Sequence, residues 1–285
     1  MEKISAIIIT YNEEEKIQHC INSVRRVTDD IVVVDSFSED KTREICQENG
    51  IRFFEHEFIS YAEQKNFAVS LAKYDHILSL DADEYLSEEL EKSILQVKET
   101  WTHEAYKMNR LSSYGEKWIK HGSWYPDRQL RLWNRKFGSW GGANPHERVI
   151  PKKGIEVKQL KGDLLHHSYD NSEIALNKIQ LYSGIFAKSN VSKRFITVFG
   201  IIVHTSFAFF KSYFLKWGIL AGFEGLAVAM VIATHTYYKY AKLYEANRMA
   251  AARAFSRAQK QYPDESRIQK PVLTDLSPTE LFRRG

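Results

Sequence analysis

The first hundred residues alternate between two patterns of apolar positions. Continuous runs such as ISAIIIT (Ile4–Thr10) and DIVVVD (Asp30–Asp35) predict strands that are buried on both faces. Each run is followed by a segment with apolar residues three or four positions apart, which predicts an amphipathic helix. This alternation at short spacing predicts an α/β fold, with a mostly parallel sheet flanked by helices as in Rossmann-like folds.

The same pattern gives the expected bounds of these elements. Asn12 is expected to cap the first helix, and Gly50 to close the second. The third and fourth strands are expected at residues 51–56 and 76–81. The helices are expected at residues 12–27, 38–50, 61–74 and 87–100.

The character of the chain changes after residue 104. Residues 105–151 are rich in Trp, Tyr, Gly and Arg, and only RQLRLW (residues 128–133) alternates like a strand. We expect a substrate-facing region here, followed by one or two strands and a helix over residues 172–189. The tail from residue 245 is basic and polar, and is expected to be a helix that gives way to loosely ordered chain.

Two apolar runs, residues 195–210 and 217–238, stand out in the C-terminal part. The first has no charged residue, and the second is broken only by Glu224. Since a spanning helix needs roughly 20 apolar residues, we expect helices that lie in or re-enter a membrane; the alternative is a buried helical hairpin. Basic residues flank both runs and suit anionic headgroups: Lys193, Arg194, Lys211, Lys216, Lys239 and Lys242.

Composition narrows the classes of function. The chain has 285 residues, a net charge of +4 and 27% charged residues, which does not favour nucleic acid as a partner. Two cysteines without a metal-binding spacing argue against a disulfide framework or a structural zinc site. The N-terminus does not resemble a signal peptide, so the catalytic part is expected in the cytoplasm.

Acidic residues follow the predicted strands. Asp35 ends the second strand, and Asp81, Asp83 and Glu84 end the fourth. Ligands bind outside the carboxyl ends of the strands in open α/β sheets, so these groups are expected to converge. In an extended segment Asp81 and Asp83 point to the same side, and without a nearby lysine their repulsion favours a divalent cation. Glu84 is expected to serve only the start of the next helix.

Four motifs together resemble glycosyltransferase family 2. They are IIITYNEE, VVVDSFSEDKT, QKNFA and LSLDADE, and the similarity covers residues 3–170. The later YPDRQLRLW, GGANPHERV and LLHHSY are similar to bacterial lipopolysaccharide core β-1,4-glucosyltransferases. The resemblance implies a GT-A fold with a nucleotide-sugar-binding half (residues 1–104) and an acceptor-binding half (residues 105–190). Membrane-associated helices (residues 191–245) and a basic tail (residues 246–285) complete the expected organisation.

The resemblance also implies roles for particular residues. The residues that it implies for donor binding are Thr10, Tyr11, Glu13, Asp35, Lys65, Asn66 and Asp81. The metal ligands are Asp83, best placed for direct contact, with Asp81 and one of His166 and His167. Glu147 is the implied catalytic base, with the adjacent His146 on the acceptor side.

Acceptor recognition rests on weaker patterns. Arg128 and Arg131 are three residues apart and are expected on opposite faces of a strand, so that one faces a phosphate or an acidic acceptor; the alternative is a structural ion pair. Trp118, Trp124, Trp133 and Trp140 are suited either to stacking on sugars or to packing against each other, and Trp124 is the chosen acceptor-binding candidate.

The expected function is inverting transfer of a sugar, with glucose first, from a UDP-sugar in the presence of Mg²⁺ or Mn²⁺. The expected acceptor is a lipid-anchored saccharide, with lipopolysaccharide inner core first, at the cytoplasmic face of a bacterial inner membrane. The enzyme would be peripheral or monotopic there. A polyprenyl phosphate or a protein acceptor is the alternative within the same chemistry. A membrane-bound scaffold without turnover is the alternative outside it.

Overall fold

Strand β1 (Ile4–Thr10) is fully buried and lies between two parallel neighbours in the central sheet. A computed structural model describes residues 1–142 and 147–261, with side chains to residue 257. The chain divides into two compact units, the first ending at Asn171 and the second beginning at Ser172.

The elements of the first unit follow the predicted alternation through its N-terminal half. In chain order they are β1 (Ile4–Thr10), α1 (Ile17–Arg25), β2 (Asp30–Asp35), α2 (Thr42–Glu48), β3 (Arg52–Glu55), α3 (Tyr61–Leu71), β4 (His76–Asp81), β5 (Glu84–Leu86), α4 (Glu88–Glu99), β6 (Ala105–Tyr114), β7 (Lys117–Trp118), β8 (Asp127–Asn134), β9 (Gly138–Gly141), β10 (Arg148–Pro151) and β11 (Val157–Tyr169).

The main sheet has the strand order β3-β2-β1-β4-β8-β6-β11-β5, with β7 paired to β6; β9 and β10 form a separate ribbon. The α/β fold is therefore confirmed. The predicted parallel arrangement holds from β3 to β4, whereas β8 runs antiparallel to both β4 and β6. The sheet is mixed because β8 follows β6 without a crossover helix and pairs with it antiparallel, whereas β11 again runs parallel to β6.

The two faces of the sheet are both covered. Ile8 and Leu78 belong to one core cluster with Ile21 of α1 and Leu90 of α4. On the other face, Ile7 packs in a second cluster that includes Ala68 of α3. Alternate residues of β1 thus enter different cores, which explains why its sequence is apolar at every position.

The predicted start of the first helix is wrong. Helix α1 begins at Ile17, and Asn12 has a left-handed backbone (φ 52°) rather than a capping conformation. The side-chain oxygen of Asn12 instead accepts a hydrogen bond from Glu39 N at 2.8 Å. Helix α4 is capped by Ser87, whose Oγ accepts a hydrogen bond from Leu90 N at 3.3 Å.

The second unit is helical over the described residues. It contains α5 (Ser172–Asn190), α6 (Val198–Phe210), a π-helical turn (Lys211–Leu215), a 3₁₀ turn (Gly218–Ala221) and α7 (Gly222–Gln261). Helix α7 extends well beyond the predicted apolar run. Gly225 permits the tight turn before it, since a Cβ atom there would lie 1.9 Å from Gly218 O.

Apolar side chains are exposed along α6 and around the turn that follows. Phe199 is 75% exposed, Trp217 64% and Phe223 72%. By length and composition, Val198–Leu215 and an 18-residue window within Gly218–Arg257 are apolar enough to cross a membrane, with mean hydropathies of 1.4 and 1.6. Of the basic residues expected to meet headgroups, Lys242 is engaged inside the unit, where its ammonium donates to Gln180 and Ser183.

Candidate active site

The carboxyl ends of β1, β2 and β4 bring three of the predicted residues to one edge. Thr10 is in register with Asp35, and Ile9 is in register with Asp81. Thr10 and Asp35 are buried, at 5% and 1% exposure, and Thr10 Oγ1 has no hydrogen-bond partner among the described residues. The expected convergence of polar groups at this edge is therefore present.

The loops after β1 and β2 hold each other in place. Asp35 accepts a hydrogen bond from Ser38 N at 2.7 Å, and Ser38 Oγ accepts one from Asn12 N at 2.8 Å. Glu13 N donates to Thr42 Oγ1 at 2.9 Å. Tyr11, between the two anchored positions, is 57% exposed. The exposed ring of Tyr11 is thus presented at the edge by a fixed backbone.

The acidic motif after β4 is a turn rather than an extended segment. Ala82 and Asp83 form a turn between β4 and β5, so the alternation that placed Asp81 and Asp83 on one side does not apply. The two carboxylates also have different partners. The expectation of no nearby lysine is wrong, because Lys65 Nζ lies 2.9 Å from Asp81 Oδ1.

Asp81 is held ionised by two cations. Lys65 approaches one carboxylate oxygen, and Arg131 Nη2 lies 3.3 Å from the other. Burial acts against the charged form, but Lys65 and Arg131 outweigh it and hold the pKa of Asp81 well below its ordinary value. Asp81 therefore carries its charge at all physiological pH values.

Lys65 also links Asp81 to the predicted base. Its ammonium lies 3.5 Å from Glu147 Oε1 and 4.4 Å from the centre of the Trp140 ring, and only 2% of Lys65 is exposed. Oε2 of Glu147 is buried and has no hydrogen-bond partner in the described chain. One oxygen of the carboxylate is thus paired with a cation, and the other has no partner among the described residues.

Asn66, the other residue predicted from QKN, uses its side chain on the backbone of β9. Its amide nitrogen donates to Trp140 O at 2.9 Å, and its oxygen accepts from Trp140 N at 3.1 Å. This pair of bonds fixes the position of Trp140. Asn66 therefore acts on the site through Trp140 in this arrangement.

Glu84 does not start a helix, which corrects the sequence-based expectation. It begins β5, is fully buried and lies 2.9 Å from Arg131 and 3.4 Å from Arg110. It also accepts a hydrogen bond from Asp81 N at 3.0 Å. Glu84 therefore balances the buried guanidinium groups and holds the turn.

Arg131 therefore forms the structural ion pair that was the alternative to acceptor binding. Only 2% of it is exposed, and it bridges Asp81 and Glu84. Burial disfavours its charge, but Glu84 and Asp81 raise its pKa. Arg128, on the same strand, is exposed, which agrees with the prediction that the two arginines lie on opposite faces.

Asp83 faces the end of β11. Its Oδ2 lies 3.2 Å from Nε2 of His166, whose other ring nitrogen is 3.1 Å from Ser112 Oγ. His167 turns its ring elsewhere, with Nε2 3.3 Å from the Tyr85 hydroxyl. Burial and the nearby Lys16 ammonium lower the pKa of His167.

The predicted metal ligands do not form one cluster. Among the described residues, no three His, Cys, Asp or Glu side chains are grouped so that they could hold a metal. The Asp83–His166 pair is an oxygen–nitrogen donor set of the kind that Mn²⁺ accepts, and Mg²⁺ or Mn²⁺ commonly completes its coordination with substrate phosphates. Asp83 and His166 therefore fit a divalent cation as a pair.

A cavity of about 250 Å³ adjoins Asp83. Lys16, His19, Tyr85 and His167 contribute to its lining. Lys16 is paired with Asp170 at 3.1 Å, and the Tyr85 ring meets His19 edge-on at 4.1 Å. The cavity thus combines aromatic surface with groups that can donate or accept hydrogen bonds.

The remaining acceptor candidates either make aromatic contacts within the first unit or lie outside the described residues. Trp124 stacks on Tyr169 with ring centroids 4.9 Å apart. Trp133 and Trp140 pack against each other edge-on at 6.1 Å, which is the packing alternative, and the Trp140 ring also lies beside the Lys65 ammonium. His146 lies outside the described residues.

Sequence reasoning missed two residues of this site, Lys16 and Tyr85. Lys16 lies in the polar run after β1 and Tyr85 beside the acidic motif, so proximity to the predicted motifs was an available signal. Trp140 was among the tryptophans suited to sugar stacking or to packing, but its place beside Lys65 depends on the pairing of Asn66 with β9, which no local pattern shows.

Comparisons with known proteins agree with the motifs. Residues 5–157 match the family model described as "Glycosyl transferase family 2". An uncharacterized glycosyltransferase of Rickettsia typhi is 32% identical over 86% of this chain and 88% of its own length. A lipopolysaccharide core biosynthesis glycosyltransferase, LpsC of Rhizobium meliloti, is 27% identical over 87% and 94%, respectively.

Among solved structures, a mannosyltransferase of Pyrobaculum calidifontis in complex with GDP-Man and Mn²⁺ is similar with a TM-score of 0.47. It is 13% identical and covers 85% of this chain and 86% of that one.

Proposed function

The chain belongs to glycosyl transferase family 2, and from that membership we propose that it transfers a sugar, with glucose first, from a UDP-sugar to a lipid-linked saccharide with inversion. The acceptor we propose is the inner core of lipopolysaccharide. The similarity to LpsC, a lipopolysaccharide core biosynthesis glycosyltransferase, supports this acceptor class.

The observation that carries the proposal is the sharing of Lys65 between Asp81 and Glu147. One buried ammonium lies 2.9 Å from the first acid of the DAD sequence and 3.5 Å from the carboxylate at the end of the PHE sequence. The two motifs are 66 residues apart in the chain, yet they meet at one cation. The shared ammonium supports a single site in which Asp81 is the proposed donor-binding acid and Glu147 the proposed base.

In the proposed mechanism, Glu147 accepts the proton of the acceptor hydroxyl. Its Oε2 is the available oxygen, while Lys65 holds Oε1. The hydroxyl oxygen attacks the anomeric carbon from the face opposite the diphosphate, and the bond from that carbon to the diphosphate oxygen breaks. A single displacement of this kind inverts the anomeric centre and needs no covalent enzyme intermediate.

The donor is proposed to lie along the strand-end edge. Thr10, Tyr11, Glu13 and Asp35 would bind the uridine, as the family resemblance implies, with Asp81 and Lys65 next to the sugar. Asp83 and His166 would hold the divalent cation, with His167 kept as the alternative imidazole. The cation would supply positive charge to the leaving diphosphate.

The membrane is proposed as the site of action. Exposed apolar residues on α6 and the following turn, together with the exposed Lys193, Arg194, Lys211 and Lys216, support insertion into the interfacial layer of an anionic membrane. We place the enzyme at the cytoplasmic face of a bacterial inner membrane as a peripheral or monotopic protein. An acceptor fixed in the bilayer would then meet an enzyme fixed at its surface.

The test is a transfer assay with the full chain, Mn²⁺, a panel of UDP-sugars and lipopolysaccharide with a truncated core. Transfer of one sugar to the lipopolysaccharide is the expected result. Transfer only to polyprenyl phosphate or to a protein would show that the proposed acceptor is wrong and that the proposed glycosyl transfer is right. The absence of both UDP-sugar hydrolysis and transfer would favour a membrane-bound scaffold and contradict the proposal.

A further inference from the structure

Buried polar atoms without partners are concentrated around Lys65 and Arg131. In the part of the chain that the structure describes, Trp140 Nε1, Glu147 Oε2, and Nε and Nη1 of Arg131 are buried without a hydrogen-bond partner. Arg131 lies 5.3 Å from the centre of the Trp140 ring, on which Lys65 also acts. Because buried polar groups are normally hydrogen-bonded, this concentration indicates a position where a bound group supplies the partners.

The indole of Trp140 is held on several sides. Its backbone exchanges two hydrogen bonds with the Asn66 side chain, Lys65 and Arg131 contact its ring, and Trp133 packs against it edge-on at 6.1 Å. Only 5% of Trp140 is exposed. Its N–H is therefore a donor with a fixed position, which is the property that a specificity contact requires.

The charges around Trp140 limit the chemistry of the missing partner. An indole N–H can only donate, so the partner must provide an acceptor atom. A phosphate group would face the carboxylates of Asp81, Glu84 and Glu147, and a metal ion would face Lys65 and Arg131. A neutral hydroxyl oxygen satisfies the donor without adding a charge to this balanced network.

We propose that Trp140 Nε1–H donates a hydrogen bond to a hydroxyl oxygen of a substrate sugar, in the site bounded by Lys65 and Glu147, and so determines which sugar is accepted. This inference rests on the proposed function. The hydroxyl belongs either to the sugar being transferred or to the acceptor sugar. Both have the same chemistry, and the arms of the experiment separate them.

The test uses Trp140→Phe, which keeps an aromatic ring beside Lys65 and Arg131 but removes the N–H. Isothermal titration of the full chain with UDP and with UDP-glucose, each with Mn²⁺, measures the sugar contact separately from the nucleotide contact. If the hydroxyl is on the donor, UDP affinity stays at the wild-type value and UDP-glucose binds about tenfold more weakly. A UDP-glucose analogue lacking the contacted hydroxyl then binds both proteins equally.

An acceptor hydroxyl gives a different result. The affinity for UDP-glucose is then unchanged, while kcat/KM for transfer to truncated-core lipopolysaccharide falls about tenfold. Wild-type values in both arms overturn the proposal, and so does an equal loss of affinity for UDP and UDP-glucose.

Trp101→Phe is the matched control. Trp101 Nε1 is also buried and unpartnered among the described residues, but its ring stacks on His76 at 3.7 Å instead of contacting Lys65. The control is expected to keep wild-type selectivity between UDP-glucose and its deoxy analogues.

The wild-type protein supplies a second test that does not depend on the variant folding. If no singly deoxygenated donor or acceptor is used at least tenfold less well than its parent, no hydroxyl contact of this kind exists. If the wild-type protein neither binds nor turns over any UDP-sugar, the proposed function itself is contradicted. If the wild-type protein turns over normally and Trp140→Phe has wild-type affinity and kcat/KM, only the proposed role of Trp140 is contradicted.

Discussion

Lys65 Nζ lies 2.9 Å from Asp81 Oδ1, and this contact joins helix α3 to the end of strand β4. Lys65 is only 2% exposed, so the carboxylate beside its ammonium offsets part of the hydration that burial removes. The same ammonium reaches Glu147, so removing its charge disturbs both carboxylates. The same ion pair therefore affects both the stability of the fold at low pH and the proposed base, Glu147.

Lys65→Met should move acid unfolding to higher pH. The folded-state pKa of Asp81 lies below its unfolded value of about 3.9, so its stabilising effect is present above that value and is lost as pH falls through the folded pKa. Without Lys65 the folded pKa rises, and the loss begins at higher pH. Circular dichroism during an acid titration measures the midpoint.

Lys73→Met is the control for this experiment. Lys73 lies 3.8 Å from Asp30, but 57% of its side chain is exposed, so solvent weakens its effect. Its acid midpoint should stay near the wild-type value. An unchanged midpoint for Lys65→Met would show that Lys65 does not stabilise ionised Asp81.

Glu147→Gln should lower kcat while leaving nucleotide affinity almost unchanged. The amide keeps the shape of the side chain but cannot accept the acceptor's proton, and general base catalysis contributes about 10²–10⁴-fold. Transfer kinetics and titration with UDP separate the two effects. A large loss of UDP affinity would instead make Glu147 a binding or structural residue.

The sequence predicts the donor half of the site better than the rest. Strands β1, β2 and β4 are continuous apolar runs, and parallel strands necessarily bring their carboxyl ends to one edge. The convergence of Asp35 and Asp81 therefore follows from local patterns alone. Strand β6 was not predicted, because AYKMNRLSSY lacks a clear period of two.

The charge partners in the site depend on tertiary register and could not be predicted locally. Glu84 is separated by 26 residues from Arg110 and by 47 from Arg131, and the three meet only after β8 and β6 pair antiparallel. Likewise, the choice between His166 and His167 depends on β11, whose register against β6 shifts after His166. Neither feature leaves a periodic signal in the sequence.

His166→Asn should weaken Mn²⁺-dependent UDP binding by about tenfold or more, whereas His167→Asn should have a smaller effect. The reason is geometric: His166 Nε2 lies 3.2 Å from Asp83, while His167 Nε2 meets the Tyr85 hydroxyl. Titration of UDP at several Mn²⁺ concentrations measures the difference. A larger loss for His167→Asn would reverse the assignment, and wild-type activity in excess chelator would exclude metal dependence.

Glu84→Gln should lower the free energy of unfolding by about 3–5 kcal/mol, because it leaves buried guanidinium charge without its carboxylate. Glu84 is fully buried and lies 2.9 Å from Arg131. Urea denaturation measures the change. The control Glu89→Gln removes an exposed charge from the first turn of α4 and should cost less than about 1 kcal/mol. Similar losses for both variants would contradict the role of Glu84.

Phe199→Glu should weaken binding to vesicles that contain anionic lipid by about tenfold or more, since burying an aromatic side chain contributes about 1.5–3 kcal/mol and a carboxylate opposes it. Phe199 is 75% exposed on α6, within the apolar run flanked by Lys193 and Arg194. Co-sedimentation with vesicles measures binding. Met249→Glu makes a similar change at a 56% exposed position in the polar end of α7 and should leave binding near the wild-type value. Equal losses would indicate that net charge alone governs binding, and no loss in either variant would contradict insertion of α6.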